Sequence, residues 1–117
     1  MRAFLAAAML CTLLLPARAE IVRAFCYGNE NHQIRTAQGK PYNPWLTTAA
    51  HRSLPFGTRL RIRYRAHSVI IQINDRGPYH HQGNRKSAPY DRDLDLSLGA
   101  CRAIGLSLGQ VSMERVF

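Results

Sequence analysis

The sequence predicts a mainly β domain, closed on itself, with one or two short helices. From Thr58 to Tyr64 the residues alternate strictly, with Leu60, Ile62 and Tyr64 on one side and Arg59, Arg61 and Arg63 on the other. That is a strand with one buried face and a cationic outer face. A short polar break, Arg65-Ala66-His67, separates it from the β-branched run Ser68 to Asn74, so the two read as a hairpin. Only one helix carries both of its signals. Ser97 stands as N-cap, Leu98, Cys101 and Ile104 recur at helical spacing, and Gly105 is the stop. Short strands with so little helix favour closure, which removes exposed strand edges.

The remaining elements follow in order. Glu20 to Tyr27 reads as a first strand, Thr47 to Arg52 as a second short helix, and Gln82 to Pro89 as a polar loop. Gly77-Pro78 and Gly109 mark turns. Val111, Met113 and Val116 lie in a final strand.

Residues 1–19 have the layout of a cleaved signal peptide. Arg2 precedes an apolar run from Ala3 to Leu15, and Pro16 leads into Ala17-Arg18-Ala19. The run is thirteen residues long, whereas a spanning helix needs about twenty. Leu10 beside Cys11 argues against lipid modification, so no stable membrane anchor is expected. Residues 20–117 then form one exported domain, in the periplasm or the extracellular envelope, and are expected to be monomeric. Without Arg2 and Arg18 the domain has fourteen basic and seven acidic side chains, a net charge of +7. Its partner is expected to be anionic. An exported chain meets acidic wall polymers and anionic headgroups, so nucleic acid is not expected. An oxidising compartment permits a Cys26–Cys101 disulfide, yet sequence alone leans to two separate buried thiols.

Acids are scarce, and Asp75, Asp91, Asp93 and Asp95 fall in the middle and late part of the chain. Asp75 closes a hydrophobic strand and opens the turn Asp75-Arg76-Gly77-Pro78, where an Asx-type bond to the backbone would be a purely structural task. Asp95 lies between Leu94 and Leu96, pointing away from the face they bury. Carboxylates in a groove also suit glycan cleavage, in which an acid protonates the departing oxygen and a carboxylate activates a hydroxyl nucleophile. Leu94 and Leu96 offer Asp95 apolar surroundings, and Arg76 offers Asp75 a counter-charge. His51, His80 and His81 with Asp91 and Asp93 lack the spacing of a metal motif. No metal or cofactor is expected. Tyr27, Tyr42, Trp45, Tyr79 and Tyr90 stand near polar or turn residues, where aromatic rings can pack on sugar faces.

Several short blocks occur in a specific order: Ala24 to Gly28 (AFCYG), Thr36-Ala37 with Gly39, Thr48 to His51 (TAAH), Leu54 to Thr58 (LPFGT), Ile73 to Tyr79 (INDRGPY) and Asp95 to Ser97 (DLS), followed by Ala100 and Ile104-Gly105. In that order they resemble the RlpA, or rare lipoprotein A, family. The resemblance implies a six-stranded double-psi β-barrel and a lytic transglycosylase of peptidoglycan glycan strands. Such enzymes protonate the bond between N-acetylmuramic acid and N-acetylglucosamine, and the muramic C6 hydroxyl closes a 1,6-anhydro ring without water. The resemblance places the catalytic carboxylates at Asp75 and Asp95, with His51 orienting one of them or contacting the sugar, and Tyr27, Tyr42, Thr48, Arg76 and Tyr79 are expected to contact substrate. Lys40 and Asn43 occupy places where the family often has acids, and Cys26 replaces a tryptophan. These departures keep a second expectation open, a non-catalytic wall-polysaccharide binder of expansin or barwin type.

Overall fold

A computed structural model describes residues 18–27, 35–82, 85–89 and 93–116. Its strands are β1 (Glu20–Cys26), β2 (Thr48–Ala50), β3 (Arg59–Tyr64), β4 (His67–Asp75), β5 (Tyr79–Gln82), β6 (Arg85–Pro89), β7 (Leu94–Leu96) and β8 (Leu108–Val116). The helix α1 spans Leu98–Ile104. Six strands close into a barrel in the order β1-β7-β2-β4-β3-β8, while β5 and β6 form a separate two-stranded sheet. Two barrel pairs are parallel, β1 with β7 and β2 with β4, and the other four are antiparallel.

Alternation fills the barrel. Leu60 and Ile62 of β3 point inward to meet Ile71 and Ile73 of β4 and Leu94 and Leu96 of β7, all essentially inaccessible to water. The arginines between them stay on the outer face, as the alternation predicts. Arg65, at φ 53°, turns the β3–β4 hairpin, and His67 already belongs to β4. The helix adds Ala100, Cys101 and Ile104 to the same core. Gly105, in the left-handed region at φ 70°, ends it and donates its N–H to the Cys101 carbonyl.

Three expectations are corrected. Thr47 to Arg52 is not helical, because Thr48–Ala50 is an inner strand between β4 and β7. Backbone pairing on both sides outweighs the helix preference of two alanines. Gln82 to Pro89 is not simply a loop, since Gln82 pairs with Arg85 and Tyr79 with Pro89 across the β5–β6 ladder. Cys26 and Cys101 are not separate thiols: their sulfurs are bonded at 2.03 Å, with the Cα atoms 6.2 Å apart. The bond ties the end of β1 to α1.

Ser97 joins this helix to the barrel. Fully buried, it donates its N–H to the Thr48 carbonyl (2.9 Å) and its hydroxyl to the Leu46 carbonyl (2.6 Å). Its Oγ accepts from the N–H groups of Ala100 (3.2 Å) and Thr48 (3.1 Å). The expected N-cap is therefore also the link that holds β7, α1 and β2 together. Gly99 is needed beside it, since a Cβ there would lie 2.5 Å from the Trp45 carbonyl oxygen.

Two outcomes follow for stability. Ser97→Ala leaves three backbone groups without their partner, two of them in buried bonds, and is expected to cost about 2–4 kcal/mol in urea unfolding. Replacing both Cys26 and Cys101 by serine releases a closed loop of 75 residues in sequence separation and is expected to cost about 4 kcal/mol. Unchanged denaturation midpoints in either experiment would contradict these links.

Candidate active site

The register of β2 against its neighbours decides where the acids point. Ala49 lies opposite Ile73 on β4 and Leu96 on β7, and all three are core residues. One step later Ala50 lies opposite Asp75, not Asn74, so β4 carries one extra residue at this point. Without it, Asp75 would share the inward phase of Ile73. The bulge moves Asp75 to the outer face beside Ala50. Across β2's other edge, Ala50 pairs with Asp95, which points away from the buried Leu94 and Leu96. Asp95, Ala50 and Asp75 thus form one row over three strands, with the aspartate Cα atoms about 10 Å apart from strand spacing. His51 follows Ala50, and its N–H donates to the Asp75 carbonyl at 3.2 Å.

The Asp75 carboxylate is fixed mainly through one oxygen. Oδ1 accepts from the N–H groups of Ala37 and Arg76, each at 2.8 Å. Among the described residues Oδ2 accepts only from the Tyr27 hydroxyl, at 3.4 Å. The Ala37 donor is presented by a tight turn in which Gly39 donates to the Thr36 carbonyl (2.9 Å), and Gly39 adopts φ 92°. This turn explains the Thr-Ala-x-Gly spacing. The Thr36 N–H and hydroxyl brace it on the Lys40 carbonyl (2.8 and 3.0 Å).

Tyr27 extends from the end of β1, where its N–H donates to the Leu96 carbonyl. Burial pushes its phenol far above the ordinary range, and the charges of Asp75 and Asp95 act in the same direction. Its hydroxyl therefore stays a donor. Tyr42 holds it from behind, with ring centroids 5.2 Å apart and the Tyr42 hydroxyl donating to the Tyr27 carbonyl at 3.1 Å. Tyr42 is only 2% exposed. The expectation that it contacts substrate is corrected, because a buried ring has no face to offer.

Arg76 is engaged by backbone on a neighbouring turn. Its guanidinium donates to the carbonyls of Leu54 (2.8 Å) and His51 (3.2 Å) and lies over the Phe56 ring at 4.0 Å. It clamps the Leu-Pro-Phe-Gly-Thr turn and does not pair with the Asp75 carboxylate. Phe56 and Gly57, the latter at φ 88°, thereby support the strand end that carries the acid.

His51 has a defined tautomer. Its Nδ1 accepts from the N–H groups of Leu54 (3.0 Å) and Ser53 (3.1 Å), so the ring proton sits on Nε2. Burial lowers its pKa first and Arg52 adds to the shift; Asp93 opposes it, Arg76 supports it, and Glu20 opposes it. Among the described residues the ring bonds neither aspartate, although its backbone is adjacent to both. Tyr79 is half-buried at the start of β5. Thr48, 7% exposed, shares the outer face of β2 with Ala50. Asp91, Tyr90 and the side chains of His80 and His81 lie outside the described residues, as does the expected signal segment up to residue 17.

With this geometry, residues 19–114 match the family described as lytic transglycolase. The chain belongs to that family. The barrel is its double-psi β-barrel, and the RlpA-like resemblance is confirmed. The "Probable endolytic peptidoglycan transglycosylase RlpA" of Synechocystis sp. is 43% identical over 95 residues, covering 77% of this chain and 27% of that protein. The same-named protein of Nostoc sp. is 43% identical over 83 residues, 69% of this chain and 20% of that protein. The "Endolytic peptidoglycan transglycosylase RlpA" of Pseudomonas aeruginosa is 36% identical over 81 residues, 68% and 21% respectively. The chain thus spans about a fifth to a quarter of the length of these relatives.

Sequence reasoning missed three features of this candidate site. The Ala37 N–H, the Asn74 bulge and the Arg52–Asp93 ion pair (3.3 Å) beside His51 depend on tertiary register. No periodicity signals them.

A pH test follows from His51. The fold lowers its pKa below the ordinary 6.5, so the unfolded chain takes up this proton more readily. The stability that His51 contributes is fully present above pH 6.5 and is lost as pH falls through 6.5 toward the folded value. Between pH 7 and pH 5 the unfolding free energy is expected to fall more steeply for the native protein than for His51→Gln. Parallel curves would contradict the buried neutral ring.

Proposed function

We propose that the protein is an exported peptidoglycan lytic transglycosylase, its domain of residues 20–117 released by removal of residues 1–19. The observation that carries this reading is the row Asp95–Ala50–Asp75 on one outer face, with Asp75 Oδ2 engaged, among the described residues, only by a tyrosine hydroxyl. In the proposed step the Asp75 carboxyl gives its proton to the oxygen between N-acetylmuramic acid and N-acetylglucosamine. The C1–O bond breaks, the muramic C6 oxygen bonds to C1, and its proton returns to the Asp75 carboxylate. No water is consumed. Asp95 supplies negative charge beside the oxocarbenium-like centre, and Tyr27 keeps Oδ2 aimed at the bond. His51, through Nε2–H, donates to a sugar oxygen. The names of the relatives support the substrate class.

The test is direct. The protein incubated with purified sacculi is expected to release 1,6-anhydro-muramic products detectable by mass spectrometry, and Asp75→Asn to lower the rate by about 10²–10⁴-fold. No anhydro product above that variant would remove the enzymatic reading.

Lys40 and Asn43 favour the second reading, a non-catalytic binder of wall polysaccharide. Lys40 is exposed on the turn that orients Asp75, and Asn43 uses its Oδ1 to accept from the Trp45 N–H at 3.0 Å. Cosedimentation with sacculi in the absence of solubilised sugar would support this reading.

A further inference from the structure

A second row of side chains crosses the same outer face. Thr48 of β2 lies opposite Gln72 of β4, and Gln72 lies opposite Arg59 of β3. This row is two residues along β2 from Ala50, about 7 Å from the row that carries the aspartates. A pocket of about 420 Å³ opens over it, lined also by Leu46, Ile70 and Ile71. That volume is in the range of small-ligand sites.

The lining has a chemical character of its own. Arg61, the next arginine on the strand face, is paired with Glu114 at 2.9 Å. Among the described residues Arg59 has no carboxylate partner. Its guanidinium is a fork suited to a carboxylate. Thr48 is 7% exposed, and among the described residues its Oγ1 has no hydrogen-bond partner, a costly arrangement unless a ligand completes it. Gln72 offers an exposed amide, while Leu46 and Ile70 offer apolar surface to the C–H face of a ring.

We infer that this pocket is a subsite for an acidic sugar, in which Arg59 binds a carboxylate while Gln72 and Thr48 bind ring substituents. The inference rests on the glycan reading above and sharpens it. In a strand where acidic muramic acid alternates with a neutral sugar, a cation at fixed distance from Asp75 makes the two kinds of glycosidic bond inequivalent. One register puts the lactyl carboxylate on Arg59, and the other leaves it outside. The pocket thus determines which bond lies over Asp75.

The test uses Asp75→Asn as a non-cleaving host and measures binding by calorimetry. The probes are a tetrasaccharide of alternating N-acetylglucosamine and N-acetylmuramic acid with free lactyl carboxylates, its carboxamide form, and the neutral N-acetylglucosamine tetramer. The free-acid form is expected to bind at least about tenfold more tightly than the carboxamide, the scale of one charge-assisted hydrogen bond. Arg59→Gln added to the host should abolish that preference, while Arg63→Gln on the same strand face should retain it. Equal binding of acid and carboxamide, or a preference that survives Arg59→Gln, overturns the subsite. The two readings fail separately. Acid preference without any anhydro product from the native protein keeps the subsite and removes the transglycosylase; anhydro product with no acid preference does the reverse.

Discussion

A single additional residue in β4 governs the placement of the chemistry. The step from Ala49–Ile73 to Ala50–Asp75 consumes two residues of β4 against one of β2, and that mismatch converts an inward position into an outward one. Had the ladder stayed regular, Asp75 would have entered a core of leucines and isoleucines, where an unpaired carboxylate is strongly unfavourable. The bulge resolves a conflict between filling the barrel with Ile71 and Ile73 and presenting an acid two positions later. Much of the surrounding structure maintains it. The Thr36–Gly39 turn donates to Asp75 Oδ1, Gln38 donates to the Asn74 carbonyl at 3.3 Å, and Gly57 donates to the Ile73 carbonyl at 2.8 Å.

The parts of the fold that were legible in the sequence are those decided locally. β3 announces itself by alternation, and α1 by a serine cap and a glycine stop, because each signal arises within a few residues. β2 was misread because three short residues reveal little about two neighbours far away in sequence. The sequence leans the wrong way on the disulfide for a related reason: 75 residues separate the cysteines, and only closure of the barrel brings them together. At the candidate site, resemblance and context single out the aspartates and His51, while the partners of Asp75 carry no signal in the sequence. Adjacency misled most clearly at Arg76, since consecutive residues on an extended chain project to opposite sides. Arg76 consequently reaches Leu54 and Phe56 rather than the neighbouring carboxylate.

The arginine row illustrates how one motif divides into several roles. Arg61 is neutralised across the β3–β8 ladder by Glu114, a half-exposed pair of the kind that contributes little to stability. Arg65 lies against the Tyr64 ring at 5.0 Å. Arg59 stands at the end of the row nearest the aspartates. A uniform cationic stripe in sequence is therefore a graded surface in three dimensions, in which partner and distance from Asp75 distinguish one arginine from the next.

The closing strand has a further consequence for the whole chain. β8 pairs with β1 on one edge and with β3 on the other, bringing Glu20 beside Met113 and Ile62 beside the same methionine. Until those last residues are available, β1 and β3 both expose unpaired backbone, and the interior has an open side. The acid row would then lack a rigid wall behind it, because β7 leans on β1 and β4 leans on β3. Pairing of β8 on both of its edges thus completes the wall behind the row of Asp75 and Asp95.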